Sequence, residues 1–214
     1  MTLRIAVPDG ALRAPSLQIL AAVGVPGGEP GAAAGGEPRL DATVAVLAAD
    51  DVPSYLASGA ADAGLVVKDL LLERSAGLCE LLDLRFGAAL LVHAAAPGAA
   101  ARARRLGRLR IATRHPSLTR SYFAARGLEV AVVEVVGALD RAVADGLADG
   151  VVALVEAAPG SARQAGIEGL TIEGVVADSS VRLVAGRGAR VLHSAELGTL
   201  VAGLRDLVAR RGTA

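Results

Sequence analysis

Short aliphatic and β-branched runs alternate with alanine- and leucine-rich stretches along the whole of this 214-residue chain. A chain whose apolar period switches repeatedly between 2 and 3.6 buries both kinds of segment as βα units around a largely parallel sheet. LRIAVP (3–8), ATVAVLA (42–48), AGLVV (63–67) and ALLVHAA (89–95) read as strands. APSLQILAAVG (14–24), stopped by Gly24, and DVPSYLASG (51–59) read as helices, with DLLLERS a further helical turn. Asp51 stands in capping position and Pro53 in the first turn. Residues 25–38, rich in Gly and Pro, read as a loop.

A second series opens at LRIAT (109–113) and repeats the layout. PSLTRSYFAARG (116–127) and ALDRAVADGLA (138–148) read as helices, and EVAVVEVV (129–136) and GVVALVE (150–156) as strands. SARQAG (161–166) starts another helix, SSVRLVAG (179–186) is a strand, and residues 194–212 form an amphipathic helix expected to pack on the first domain. Two small α/β lobes with a ligand cleft between them are expected, since open sheets bind ligands beyond the carboxyl ends of their strands. The boundary falls near residues 94–108, a linker whose Arg102, Arg104, Arg105 and Arg108 read as a solvated face.

Hydrophobic residues make up 53% of the chain but aromatics only 2%, so the core is built from small aliphatic side chains. No stretch approaches the roughly 18–20 apolar residues of a membrane span, and the reading is a cytoplasmic protein without membrane contact. Basic and acidic residues balance at 22 each, which provides no global field for nucleic acid. Any phosphate binding is therefore local. Cys79 is the single cysteine and reads as a half-buried small hydrophobe.

LRIAVPDGAL, DDVPSYLASGAADAGLVVKDLLLE, LLDLRFGAALLV, RIATRHPSLTRSYF, GALDRAVADGLADGVVALVE and ADSSVRLVAG follow one another in an order that resembles the ATP phosphoribosyltransferase family. The length resembles its short form. The resemblance implies a two-lobed, periplasmic-binding-protein-like (type II) α/β fold with a cleft between lobes. Lobe one would be residues 1–93 plus 182–214 and lobe two 94–181, with ALLVHAA and SSVRLVAG as the crossings. It implies transfer of phosphoribosyl from phosphoribosyl pyrophosphate to N1 of ATP's adenine, the first step of histidine biosynthesis, with Mg2+ accompanying the phosphates. It also implies a homo-oligomer and a regulatory subunit resembling histidyl-tRNA synthetase.

Carried over residue by residue, the resemblance makes Glu156 and Asp140 the catalytic and ribose-facing carboxylates. Asp62, Lys68 and Thr113 would bind nucleotide, with Asp69, Arg114 and Thr119 nearby. Gly160, Ser161 and Arg163 would bind phosphate through backbone N–H groups and a hydroxyl before a helix. His115 stands where the family has an aromatic and reads as a packing residue.

The same comparison exposes departures. The family's leading aspartate is Ala153, its loop threonines are lost, and Pro159 removes a donor. The cationic positions of the family carry Asp9, Ala11, Ala48, Ala88 and Leu90 here. An impaired catalytic subunit, a non-catalytic or repurposed nucleotide-binding paralogue, and a solute-binding module thus compete, with the first favoured by the whole-chain match.

Overall fold

A computed structural model describes residues 2–26, 40–74, 77–156 and 166–211, the side chains of Ala100, Arg104 and Leu106 excepted. Its first unit comprises Met1–Gly87 and Ser180–Ala214, its second Ala88–Ser179. Each holds a five-stranded sheet.

In the first unit the strands are β1 (Leu3–Pro8), β2 (Ala42–Leu47), β3 (Ala63–Val67), β4 (Cys79–Asp83) and β10 (Val181–Ala185), in the order β2-β1-β3-β10-β4. β1 pairs in parallel with β2 and β3, while β10 runs antiparallel to β3 and β4. The helices are α1 (Arg13–Ala22), α2 (Val52–Ser58), α3 (Lys68–Glu73), α7 (Ala189–Leu192) and α8 (Ser194–Arg211). The terminal helix packs as expected. Leu197, Leu200, Leu204 and Val208 sit in one apolar cluster with Leu3, Ile5, Ile19 and Leu183. Each fully buried Leu or Ile contributes roughly 1.5–3 kcal/mol, so this cluster anchors the unit despite its lack of buried aromatics.

In the second unit β5 (Ala89–Ala95), β6 (Leu109–Thr113), β7 (Val130–Glu134), β8 (Gly150–Glu156) and β9 (Thr171–Ser179) form the order β7-β6-β8-β5-β9. β6 is parallel to β7 and β8, and β5 is antiparallel to β8 and β9. The helices are α4 (Ala99–Leu106), α5 (Pro116–Ala124) and α6 (Leu139–Ala144). His93, Tyr122 and Phe123 form the aromatic cluster, with the Tyr122 and Phe123 rings edge-to-face at 5.1 Å.

The units divide at 87/88 and 179/180, whereas the sequence suggested 93/94 and 181/182. The reason is that β5 is paired along its full length with β8 and β9. Residues 99–106, read as part of a linker, form helix α4. Two strands went unread. β4 is short and only partly buried, and β9 is an edge strand, interrupted by Gly174, whose exposure does not alternate. The helix expected from residue 161 begins outside the described residues.

The two units repeat a local motif. Leu-Arg-Ile-Ala opens both β1 and β6, and Gly-x-Ala-Asp precedes both β3 and β8, at 59–62 and 146–149. Gly59 and Gly146 end their turns at φ +75° and +73°, where a side chain is strained. Asp62 and Asp149 then face the arginine of the neighbouring strand: each donates its N–H to that arginine's carbonyl at 2.8 Å.

Candidate functional site

In each sheet the parallel strands end together, and the carboxyl edge is where an α/β sheet presents loops to a ligand. Lys68 follows β3 directly and so lies at the carboxyl edge of the first sheet. Its Nζ donates to Glu80, which also receives Arg182 at 3.1 Å, and Arg182 reaches Asp83 at 3.1 Å. Two cations thus face two carboxylates, and the charge of Lys68 is balanced within its own unit. Asp69, beside it, is buried.

Asp62 precedes β3 and therefore lies at the opposite edge, about 20 Å from Lys68 along the strand. Its carboxylate accepts the Arg4 main-chain N–H (2.9 Å) and Nε (3.0 Å) on Oδ2, and Arg4 Nη2 on Oδ1 (2.8 Å). His193 Nε2 stands 3.9 Å from Oδ2. Burial pushes this carboxyl up, but the hydrogen bonds and charge of Arg4 together outweigh it and hold the group below the usual carboxylate range. The structure does not bring Asp62 and Lys68 together.

Thr113 is fully buried at the end of β6. Its hydroxyl donates to the Val152 carbonyl at 3.0 Å and accepts the His115 N–H at 2.9 Å, tying β6 to β8 and starting α5. Thr119 donates to the His115 carbonyl at 2.7 Å. Both hydroxyl protons are spent on the main chain. Arg114 is exposed and donates to the Gly137 carbonyl at 3.1 Å, next to the start of α6.

Asp140, in the first turn of α6, and Glu156, the last residue of β8, are exposed at the carboxyl edge of the second sheet. The chain leaves that edge at Glu156 and returns at Gly166. A Cβ at Gly166 would lie 3.0 Å from the Asp140 nitrogen, so the segment's return is packed against the start of α6. Gly160, Ser161 and Arg163 lie outside the described residues, but their two flanks meet the edge that carries Asp140 and Glu156. Ala153, in place of the family's aspartate, is 2% exposed among Val92, Ala112 and Leu139.

Ala48, Ala88 and Leu90 are all exposed, Leu90 by 43%. Asp9 is also exposed and faces Arg13 at 3.7 Å. These positions present no cation, and Leu90 offers apolar surface instead.

The sequence reading missed the counterpart of the Arg4–Asp62 clamp in the second unit. Asp149 accepts the Arg110 main-chain N–H (3.0 Å) and Nε (3.1 Å) on Oδ2, and Arg110 Nη2 (3.0 Å) on Oδ1. The signal was present in the repeated Leu-Arg-Ile-Ala and Gly-x-Ala-Asp. Among the described residues no group of three or more His, Cys, Asp and Glu is arranged to hold a metal ion, and no helix is long and apolar enough to cross a membrane.

Comparison with known proteins bears on this arrangement. The profile of the ATP phosphoribosyltransferase family matches residues 48–206. An ATP phosphoribosyltransferase of Symbiobacterium thermophilum is 36% identical over 217 residues, covering 98% of this chain and 96% of its own. One from Deinococcus deserti is 39% identical over 166 residues, with 78% and 73% covered. Among solved structures, the ATP phosphoribosyl transferase (HisG:HisZ) complex from Thermotoga maritima contains a chain that superimposes with a TM-score of 0.77 at 22% identity, covering 98% of this chain and all of that one. The BvgS VFT2 domain of Bordetella pertussis follows at 0.54 and 19%, with 98% and 92% covered. These likenesses show the fold, the two-lobed α/β class expected from the sequence.

Proposed function

Since this chain belongs to the ATP phosphoribosyltransferase family, as a catalytic subunit of histidine biosynthesis, we propose that its reaction uses the carboxyl edge of its second sheet, with Asp140 and Glu156 as the working carboxylates. The observation that supports this is the close packing of Gly166 against the start of α6, where a Cβ would lie 3.0 Å from the Asp140 nitrogen, with Glu156 exposed at the end of the neighbouring strand β8. Main-chain N–H groups of residues 160–163, the Ser161 hydroxyl and Arg163 hold the 5′-phosphate and pyrophosphate of phosphoribosyl pyrophosphate. Asp140 accepts the ribose hydroxyls. Glu156 stabilises the positive charge that develops on the ribose as pyrophosphate leaves. Lys68, at the carboxyl edge of the first sheet, contacts nucleotide once it lets go of Glu80.

Asp62 and Thr113 are assigned to holding the sheets rather than to the ligand, because their polar atoms are already engaged. Mg2+ enters with the substrate phosphates. Such an ion keeps several waters and takes only one or two protein carboxylates, which two exposed carboxylates at one edge fit. When bound it neutralises pyrophosphate charge; the residues around it position the sugar.

By analogy with the Thermotoga maritima complex, a HisZ-type regulatory subunit resembling histidyl-tRNA synthetase joins a homo-oligomer of this chain, in the cytoplasm where ATP and phosphoribosyl pyrophosphate are supplied. A second reading, a nucleotide-binding paralogue without turnover, is favoured by the exposed Ala48, Ala88 and Leu90. Pyrophosphate release and phosphoribosyl-ATP formation, followed with and without the synthetase-like partner, separate the two. Turnover in either condition supports the enzyme. Nucleotide binding without product in both sinks it.

A further inference from the structure

The donors around the aspartate of the repeated motif differ between the units: Asp62 has His193 Nε2 3.9 Å from Oδ2, and the remaining difference is at Oδ1. In the second unit Asp149 Oδ1 accepts two donors, Arg110 Nη2 at 3.0 Å and Arg102 Nε at 3.4 Å, the latter from α4. In the first unit Asp62 Oδ1 accepts only Arg4 Nη2 among the described residues. The surrounding main chain is the same in both. Ala185 pairs with Ala63 as Ala95 pairs with Gly150, and the next N–H, of Gly186 or Ala96, donates to the aspartate's carbonyl at 3.1 Å. Counted from those alanines, seven residues lead to Arg102 in one unit and to Leu192 in the other. Leu192 cannot donate, and its side chain is 70% exposed.

A cavity of about 470 Å³ lies at this place in the first unit, lined by Arg4, Asp62, Leu56, Gly59, Arg187 and Leu192 among others. Arg187 donates its Nε to the Gly77 carbonyl at 2.9 Å, and its two Nη groups have no partner among the described residues. The lining thus pairs a carboxylate oxygen short of one donor with a guanidinium short of acceptors, and aliphatic side chains also line the cavity. The volume is within the range of small-molecule sites. It is at the amino edge of the sheet, opposite Lys68, so it is distinct from the proposed reaction site and independent of that reading.

We propose that this cavity binds a small molecule carrying a guanidinium group at one end and a carboxylate at the other. The guanidinium takes the place that Arg102 holds in the second unit, against Asp62 Oδ1, and the carboxylate meets Arg187. The apolar chain between them lies against Leu192. Charge-assisted contacts of this kind are strong enough for the loss of one to change affinity about tenfold.

The test titrates Nα-acetyl-L-arginine, which has both end groups and no α-ammonium, into the ¹⁵N-labelled protein while the amides of Gly59, Gly186 and Gly188 are followed. Saturable shifts are expected. Agmatine, which lacks the carboxylate, is expected to bind at least about tenfold more weakly, and Arg187→Ala to bring acetylarginine down to the level of agmatine. Leu192→Arg restores the residue of the second unit, fills the site from within, and abolishes binding while leaving the amide spectrum folded. The proposal is overturned by an absence of shifts at about 0.1 M ligand, by equal binding of the two compounds, or by unaltered binding in Leu192→Arg.

Discussion

Arg110 holds Asp149 through three hydrogen bonds of 3.0–3.1 Å from its main-chain N–H, Nε and Nη2, and the Asp149 side chain is only 1% exposed. Asp149→Ala leaves the Arg110 N–H and two partly buried guanidinium groups without their acceptor. Breaking a buried pair from one side costs about 3–5 kcal/mol; because both arginines keep partial access to water, about 3 kcal/mol is expected here. Urea unfolding with an unchanged m-value measures it. A loss below about 0.5 kcal/mol shows that the clamp is decorative.

The same carboxylates make stability depend on pH. Hydrogen bonds from Arg110, outweighing burial, hold Asp149 below its ordinary value, and Asp62 is also lowered. Their folded forms therefore bind protons less readily than the unfolded chain, whose aspartates titrate near about 3.9. This stabilisation is complete above that value and is lost as pH falls through the folded values. Thermal unfolding followed downward from pH 5 should show a steep fall below about pH 4. In Asp149→Asn that fall should become shallower.

His93 adds a separate window. It is buried beside Phe123 at 4.9 Å between ring centroids, its Nε2 has no hydrogen-bond partner among the described residues, and burial lowers its pKa. The unfolded chain takes up the proton first, near about pH 6.5, so stability declines on acidification from there to the folded value. His93→Phe removes the charge and should flatten stability between about pH 7 and 5 without altering the fall below about pH 4. An unchanged slope between pH 7 and 5 means that His93 binds its proton equally in the folded and unfolded chain.

These clamps also show what was legible in the sequence. The alternation of apolar periods placed most strands within a residue or two, because β1, β3 and β8 are aliphatic runs bounded by turn residues. β9 escaped because Ile172, Glu173 and Val175 are exposed on an edge with no buried face to impose a period. Asp62 and Lys68 were both assigned to the nucleotide by the family resemblance, yet the five residues between them form a strand that carries them to opposite edges. The burial of Thr113 was equally hidden, since a threonine at a strand end looks the same whether its hydroxyl meets a ligand or the Val152 carbonyl. Asp140 and Glu156 came from the family resemblance alone; both are exposed, and Asp140 Oδ1 accepts the Arg141 N–H at 2.8 Å.

For those two carboxylates, substitution separates chemistry from folding. Both are exposed, so Asp140→Asn and Glu156→Gln should change stability by no more than about 0.5 kcal/mol. Asp140→Asn is expected to raise KM for phosphoribosyl pyrophosphate, since a ribose contact is made in the ground state too. Glu156→Gln should lower kcat by at least about tenfold with KM little altered, because its charge matters most as the ribose becomes cationic. Equal kcat in Glu156→Gln and the unsubstituted protein removes Glu156 from the reaction.

Affinity for phosphoribosyl pyrophosphate is expected to be much weaker than in relatives with an intact loop. Ala157 and Ala158 bring no hydroxyl and Pro159 no N–H, while Ala48, Ala88 and Leu90 present no cation where the resemblance places one. Each lost charge-assisted contact is worth roughly 1.5–3 kcal/mol, and 1.4 kcal/mol is already a factor of about ten, so two uncompensated losses weaken binding about a hundredfold or more. Three cations that could compensate already have partners: Lys68 is engaged by Glu80, Arg13 faces Asp9 and Arg114 is held to Gly137. Calorimetric titration with phosphoribosyl pyrophosphate and Mg2+ is the direct measurement, with Leu90→Arg beside the unsubstituted protein. Millimolar binding that tightens in Leu90→Arg is the expected result, because a cation returns to an exposed position at the start of β5. Micromolar binding by the unsubstituted protein defeats the expectation and means that Arg163 or the loop main chain supplies the missing contacts.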